Sequence, residues 1–138
     1  MLQAVRPIGQ VLLGVVCLET ALGIMSPTIA LQLAHRGTHD TLIGLIGSAY
    51  FLGFLLGTLS CHRVIDRVGH IRTFGVFAAL AAISTLLYLL FDQINVWVAL
   101  RVLGGYAIAG QYVVVESWLN DKATDENRGR VFALYMVV

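Results

Sequence analysis

Two long apolar runs, Leu42–Ser60 and Thr73–Phe91, are separated by one short polar stretch, Cys61–Arg72. Each run is close to the ~20 residues that a helix needs to cross the hydrocarbon core of a bilayer. A connection this short forces two such helices to run antiparallel, so the polar stretch must be a loop in water on one face of the membrane. The sequence therefore predicts a transmembrane helical hairpin.

The composition leaves little material for the surface of a soluble domain. Of the 138 residues, 58% are hydrophobic and 12% are charged, whereas about a quarter of a soluble domain is charged. The nine Lys and Arg residues are divided among the polar connections, which argues against nucleic-acid binding. The sequence contains no hydrolase, phosphate-loop or metal-ligand motif. We therefore expect a helical membrane protein that is not an enzyme and holds no metal.

Apolar runs divide the chain into four complete spans and the start of a fifth. The predicted spans are about 8–33, 42–60, 71–91, 95–119 and, incompletely, 131–138. The first run is too long for a signal peptide and contains Glu19, so we expect it to be retained. Pro27 is expected to kink or break the first helix. Because the chain stops inside an apolar run, we expect it to be the amino-terminal part of a longer protein.

The basic residues predict the orientation in the membrane, because cytoplasmic connections carry an excess of Lys and Arg. With the amino terminus inside, the cytoplasmic set is Arg6, Arg63, Arg67, Arg72, Lys122, Arg128 and Arg130. Only Arg36 then lies outside, and Arg101 lies within the membrane. The sequence thus predicts a multi-pass protein of the cytoplasmic (inner) membrane with its amino terminus inside.

Two ionisable residues, Glu19 and Arg101, lie well inside predicted spans. Charges at such depth normally face a bundle interior or a water-filled cavity and have a partner. Since their depths are similar, we expect the two to pair if spans one and four are neighbours. Gly105, Tyr112 and Glu116 share the Arg101 face of the fourth helix. Spans one and four are therefore predicted to line a polar cavity.

Each of these residues also has a simpler interpretation. Glu19 could be protonated and hydrogen-bonded in ordinary packing, Arg101 could be a structural clamp, and Glu116 could reach the interface. Gly53 and Gly57 form a Gly-x-x-x-Gly pair, which allows close approach of two helices. We expect this pair to serve packing within one bundle, with dimerisation as the alternative.

Three stretches in sequence order resemble motifs of the major facilitator superfamily. The matching residues are Asp66, Arg67, Gly69 and Arg72 in the loop between spans two and three, Arg101 and Gly105 in span four, and Arg128, Gly129 and Arg130 at the entry to span five. His62 stands where the loop motif has glycine, and His70 where it has a basic residue. The stretch Glu116–Asn120 is similar to a bacterial subgroup of permeases.

The resemblance implies a secondary active transporter with twelve spans in two six-span bundles and a substrate site between the bundles. It implies that Asp66 acts at the inner gate, in one loop with Arg67, Gly69 and Arg72, and that Arg101 serves proton coupling or substrate binding. The implied partners are a small-molecule substrate, membrane lipids and a carboxy-terminal bundle. A proton or sodium gradient would take the place of a cofactor. The present chain alone is expected to be inactive.

Two other functions fit part of the pattern. A small four-span multidrug exporter would also carry a single glutamate such as Glu19 in its first span, but the basic loop and Arg101 do not belong to that type. A non-transporting membrane assembly protein would need no coupling between Glu19 and Arg101. The transporter and the small exporter differ in their number of spans. The assembly protein differs from both because it moves no solute.

Overall fold

The chain is helical throughout the part that the structure describes, apart from short connections. The computed structural model describes the backbone of residues 2–124 and 128–137, and the side chains of these residues except 2–12, 130, 134 and 137. In chain order the helices are α1 (Leu2–His35), α2 (Asp40–Val68), α3 (His70–Leu87), α4 (Ile94–Lys122) and α5 (Arg128–Val137). The predicted all-α class is confirmed.

Helix α4 is the central element of the bundle. Its most extensive contacts are with α2, followed by α3. More than half of its apolar stretch is buried, whereas α1, α2 and α3 each bury less than a fifth of theirs. Within the described residues, α1 to α4 are the four helices long and apolar enough to cross a membrane. Helices α1, α2 and α3 leave most of their apolar surface exposed, and such a surface is stable in lipid. The fold is therefore that of a multi-span membrane bundle.

Glycines bring the backbones of α2 and α4 into direct contact. A Cβ atom at Gly53 would overlap the carbonyl of Val102, and one at Gly105 would overlap the carbonyl of Tyr50. Gly57 faces Tyr106 in the same way. Small residues permit this approach, and van der Waals contact then drives helix association in lipid. The expectation that the Gly53–Gly57 pair packs within one bundle is confirmed.

The polar stretch predicted to be a loop between the second and third spans is helical instead. Helix α2 continues to Val68 and α3 begins at His70, so only Gly69 separates them. Gly69 has a φ of +82°, in the left-handed region that glycine adopts without a steric penalty. Its amide donates to the Ile65 carbonyl at 2.8 Å and closes α2. The loop prediction is wrong because polar residues can extend a helix beyond the hydrocarbon layer.

Other helix ends also differ from the predicted spans. Helix α1 begins at Leu2 and runs through Pro27 without a break, because membrane helices tolerate proline where neighbouring groups satisfy the freed backbone carbonyl. Helix α3 ends at Leu87, before the predicted end at Phe91. Polar residues also extend two helices beyond their apolar runs. Helix α4 continues to Lys122, past the predicted end at residue 119, and α5 begins at Arg128, before the predicted start at residue 131. Hydropathy marks the part of a helix that fits lipid and not the whole helix.

One ion pair joins the two connections at the predicted outer end. Arg36, after α1, lies 2.6 Å from the carboxylate of Asp92, after α3. The Arg36 guanidinium also lies 4.8 Å from the ring centroid of Trp97. The Trp97 indole in turn donates to the Phe91 carbonyl at 2.6 Å. These contacts tie the α1–α2 connection to the α3–α4 connection.

Candidate functional site

An open cleft of about 860 Å³ lies between α1, α2 and α4, with α5 at one side. This volume is in the range of small-molecule sites. Its polar lining residues are Glu19, Ser26, Tyr50, Thr58, Tyr112, Glu116 and Tyr135. The structure therefore brings together Glu19, Tyr112 and Glu116, three of the residues that sequence analysis placed in a cavity. Gly105 lies instead at the crossing of α4 with α2.

Each carboxylate of the cleft accepts a hydrogen bond from a tyrosine. The Tyr112 hydroxyl, on α4, donates to Glu19 Oε1, on α1. The Tyr135 hydroxyl, on α5, donates to Glu116 Oε1 at 3.1 Å. Tyr112 thus connects the two helices that the sequence predicted to line the cavity. Tyr135 connects α4 to α5.

The predicted pairing of Glu19 with Arg101 is wrong, because no ion pair joins them among the described residues. Arg101 Nη2 instead donates to Ser26 Oγ at 3.1 Å. Ser26 is about two turns further along α1 than Glu19, and Tyr112 about three turns further along α4 than Arg101. The antiparallel register of α1 and α4 therefore sets Arg101 opposite Ser26 and Tyr112 opposite Glu19.

Arg101 lies behind the wall of the cleft. It is 8% exposed, its guanidinium is 5.5 Å from the ring centroid of Tyr50, and its Nε has no hydrogen-bond partner in the described part of the chain. It lines a second, smaller cavity together with Tyr88 and Ser84. A buried cation with so few partners is costly in a membrane, which favours a functional role.

Much of the aromatic wall of the cleft was not predicted from the sequence. The rings of Phe54 and Tyr112 are 6.0 Å apart, and those of Tyr50 and Phe54 are 6.3 Å apart, so three rings form a continuous surface. Tyr50 and Phe54 lie one helical turn apart on α2, a spacing that could have indicated a shared face. Tyr135 lies on α5, which the sequence treated as an incomplete span.

Near Gly69, the described side-chain contacts with α4 are made by His70 and not by Asp66, Arg67 or Arg72. His70 Nε2 lies 2.9 Å from Ser117 Oγ and 3.6 Å from a carboxylate oxygen of Asp121. These contacts tie the start of α3 to the end of α4. From the sequence, His70 was named only as a departure from the loop motif, and no role was predicted for Ser117 or Asp121.

The predicted gating residues surround the same break between α2 and α3. Asp66, Arg67 and Arg72 are exposed, and none forms an ion pair with another described residue. Gly69 and Arg72 line a separate cavity of about 380 Å³ that also contains Trp118 and Asp121. Asp66 and Arg67 are therefore at the surface of the described part of the bundle.

Known proteins resemble this chain over nearly its whole length. The sequence profile of the Major Facilitator Superfamily matches residues 11–138. Over 133 residues, the chain is 34% identical to the uncharacterized MFS-type transporters of Enterobacter sp. strain 638 and of Escherichia fergusonii (YcaD), and 32% identical to one of Yersinia enterocolitica. These alignments cover 96% of this chain and 35% of each relative, so the chain spans about a third of their length. No solved structure matches it.

Proposed function

Because the chain belongs to the Major Facilitator Superfamily, we propose that it forms the amino-terminal wall of the solute pathway in a secondary active transporter. The transporter moves a small solute across the cytoplasmic membrane by alternating access. The observation that carries the proposal is the cleft, which gathers Glu19, Tyr112 and Glu116 on one open wall. A proton or sodium gradient supplies the driving force.

The cleft is open on one side, so it provides only part of a binding site. In this superfamily a second six-span bundle faces the first, and the substrate lies between them. We place such a carboxy-terminal bundle over the open side of the cleft, and lipid against the outward faces of α2 and α3. On this proposal the 138-residue chain moves no solute by itself.

The break at Gly69 is the proposed inner gate. Support comes from the exposed Asp66, Arg67 and Arg72, which have no ionic partner within the described residues. In the outward-facing state Asp66 binds the second bundle, and Arg67 and Arg72 serve as counter-charges. Arg101, buried beside the cleft, couples solute binding to the driving ion.

Alternating access is tested by labelling a residue of the cleft from each side of the membrane. Thr58 lines the cleft, and Ala79 is an exposed residue of α3 at a similar distance from Gly69. Each is replaced by cysteine in the proposed full-length transporter, in which Cys17 is replaced by serine. A membrane-impermeant maleimide should label Thr58→Cys when supplied from either side, and Ala79→Cys from neither.

Labelling of Thr58→Cys from one side only would rule out alternating access. It would favour the second candidate, a membrane protein that assembles with others and moves no solute. Membership of the superfamily already argues against the small four-span exporter, because that type is built from two copies of a four-span chain and not from two six-span bundles.

A further inference from the structure

We propose that the cleft selects organic cations, that is, positively charged solutes with an apolar or aromatic body. This inference rests on the proposed function and adds the substrate class to it. Three features of the cleft carry the inference: the sign of its charge, the free acceptor oxygens of its carboxylates and its aromatic wall.

The described lining of the cleft contains acids and no bases. Glu19 and Glu116 are its two ionisable carboxylates, and none of its described residues is Lys, Arg or His. In a membrane, where water is scarce and field lines are poorly screened, this imbalance attracts cations and repels anions.

Both carboxylates keep acceptor capacity for a ligand. A carboxylate has two oxygens and about four lone-pair sites. In each of Glu19 and Glu116 one oxygen accepts a hydrogen bond from a neutral tyrosine. The other oxygen has no hydrogen-bond or ionic partner in the described part of the chain. A cation in the cleft would satisfy both.

The aromatic wall fits the body of such a solute. Tyr50, Phe54 and Tyr112 present adjoining rings, and Tyr112 is also the partner of Glu19. A cation seated there meets the negative faces of the rings and a carboxylate together. Glu19 and Glu116 belong to no cluster of three or more metal-type ligands among the described residues. The apolar and aromatic lining therefore favours an organic cation over a metal ion.

Arg101 carries a positive charge close to the cleft, and this charge is turned to other partners. Arg101 does not line the cleft and is 8% exposed. Its guanidinium is bound to Ser26 and lies over the ring of Tyr50. Ser26 and Tyr50 both line the cleft, so these two side chains face a solute there and the guanidinium lies behind them.

Tetraphenylphosphonium and tetraphenylborate test the charge preference, because they are nearly the same shape and opposite in charge. Each is titrated into the proposed full-length transporter, purified in detergent. We expect saturable binding of the phosphonium and at least about tenfold weaker binding of the borate. Glu19→Gln with Glu116→Gln should weaken phosphonium binding at least about tenfold. Asp40→Asn, an exposed acid outside the cleft, should leave it unchanged.

Equal or tighter binding of the borate, no saturable phosphonium binding, or an unaffected double variant would each overturn the inference. Glutamine keeps the shape of glutamate and can still accept from tyrosine, and an unchanged elution volume on size exclusion confirms that the variants are folded. If cation selectivity is absent while Thr58→Cys is still labelled from both sides, only the substrate class is wrong. If that labelling fails, the proposed function itself is wrong.

Discussion

The hydroxyl of Tyr112 donates a hydrogen bond to the carboxylate of Glu19, and this bond joins the middle of α4 to the middle of α1. Two apolar clusters also hold α1: Val15, one turn before Glu19, packs with Leu119, and Leu33, near the end of the helix, packs with Trp97. Close backbone approaches between α1 and α4 are few compared with those between α2 and α4. The contacts of α1 with α4 are therefore made by side chains, and two of them are the hydrogen bonds of Glu19 and Ser26.

Tyr112→Phe should destabilise the bundle, because it leaves the Glu19 carboxylate without its hydrogen-bond donor. An unsatisfied acceptor costs about 1–3 kcal/mol, and we expect the lower end of this range because the cleft is open. Unfolding in mixed detergent and denaturant micelles measures the change. Tyr135→Phe is the matched control: its partner Glu116 is exposed, so its loss should cost less. Equal losses for the two variants would contradict this account.

Gly53→Ala and Gly105→Ala should each prevent normal packing of α2 against α4. The added methyl group would overlap a backbone carbonyl of the facing helix, and a backbone cannot move aside as a side chain can. Overpacking typically lowers the free energy of unfolding by about 1–3 kcal/mol, and we expect each variant to lose at least the upper value of this range. Thermal unfolding in detergent measures it.

The same substitution at Gly44 or Gly47 is the control for the glycine variants. A Cβ atom at either position has no neighbour within 4 Å. Both lie in α2, so alanine there should leave stability unchanged or raise it by about 0.5–1 kcal/mol through its higher helix propensity. A similar loss at all four glycines would show that backbone contact is not what Gly53 and Gly105 provide.

Ser26 and Arg101 should be energetically coupled across α1 and α4. A double-mutant cycle with Ser26→Ala and Arg101→Lys should show an interaction free energy of about 0.5–3 kcal/mol, as expected for residues in contact. Lysine keeps the charge but loses the planar donor group. The control pairs Ser26→Ala with Arg36→Lys, whose side chain binds Asp92 instead, and should be additive. Additive effects in both cycles would show that Ser26 and Arg101 are not in contact.

Arg67 and Arg128 should lie on one side of the membrane and His39 on the other. Single cysteine substitutions at these exposed positions, in a Cys17→Ser chain, are labelled in intact cells and in inverted vesicles. Cys61 is fully buried and should not react. We expect Arg67→Cys and Arg128→Cys to be labelled from the cytoplasm and His39→Cys from outside. Labelling of Arg67→Cys and Arg128→Cys from opposite sides would overturn the topology.

The number of helices and their membrane character followed from the sequence, because a stretch of some twenty apolar residues has few stable states other than a helix in lipid. Three of the cavity residues, Glu19, Tyr112 and Glu116, were also predicted. Helical periodicity identifies a polar face, and burial cost in lipid turns that face inward.

Partners across helices were decided only by the tertiary structure. The sequence places Glu19 and Arg101 at similar depths, but the register of α1 against α4 depends on how the helices pack together. That register assigns Tyr112 to Glu19 and Ser26 to Arg101. Likewise, whether charged residues after Ser60 form a loop or extend a helix depends on competition between water and backbone hydrogen bonds. Periodicity gives the direction of each side chain on its own helix, whereas contact depends on the position of its neighbours.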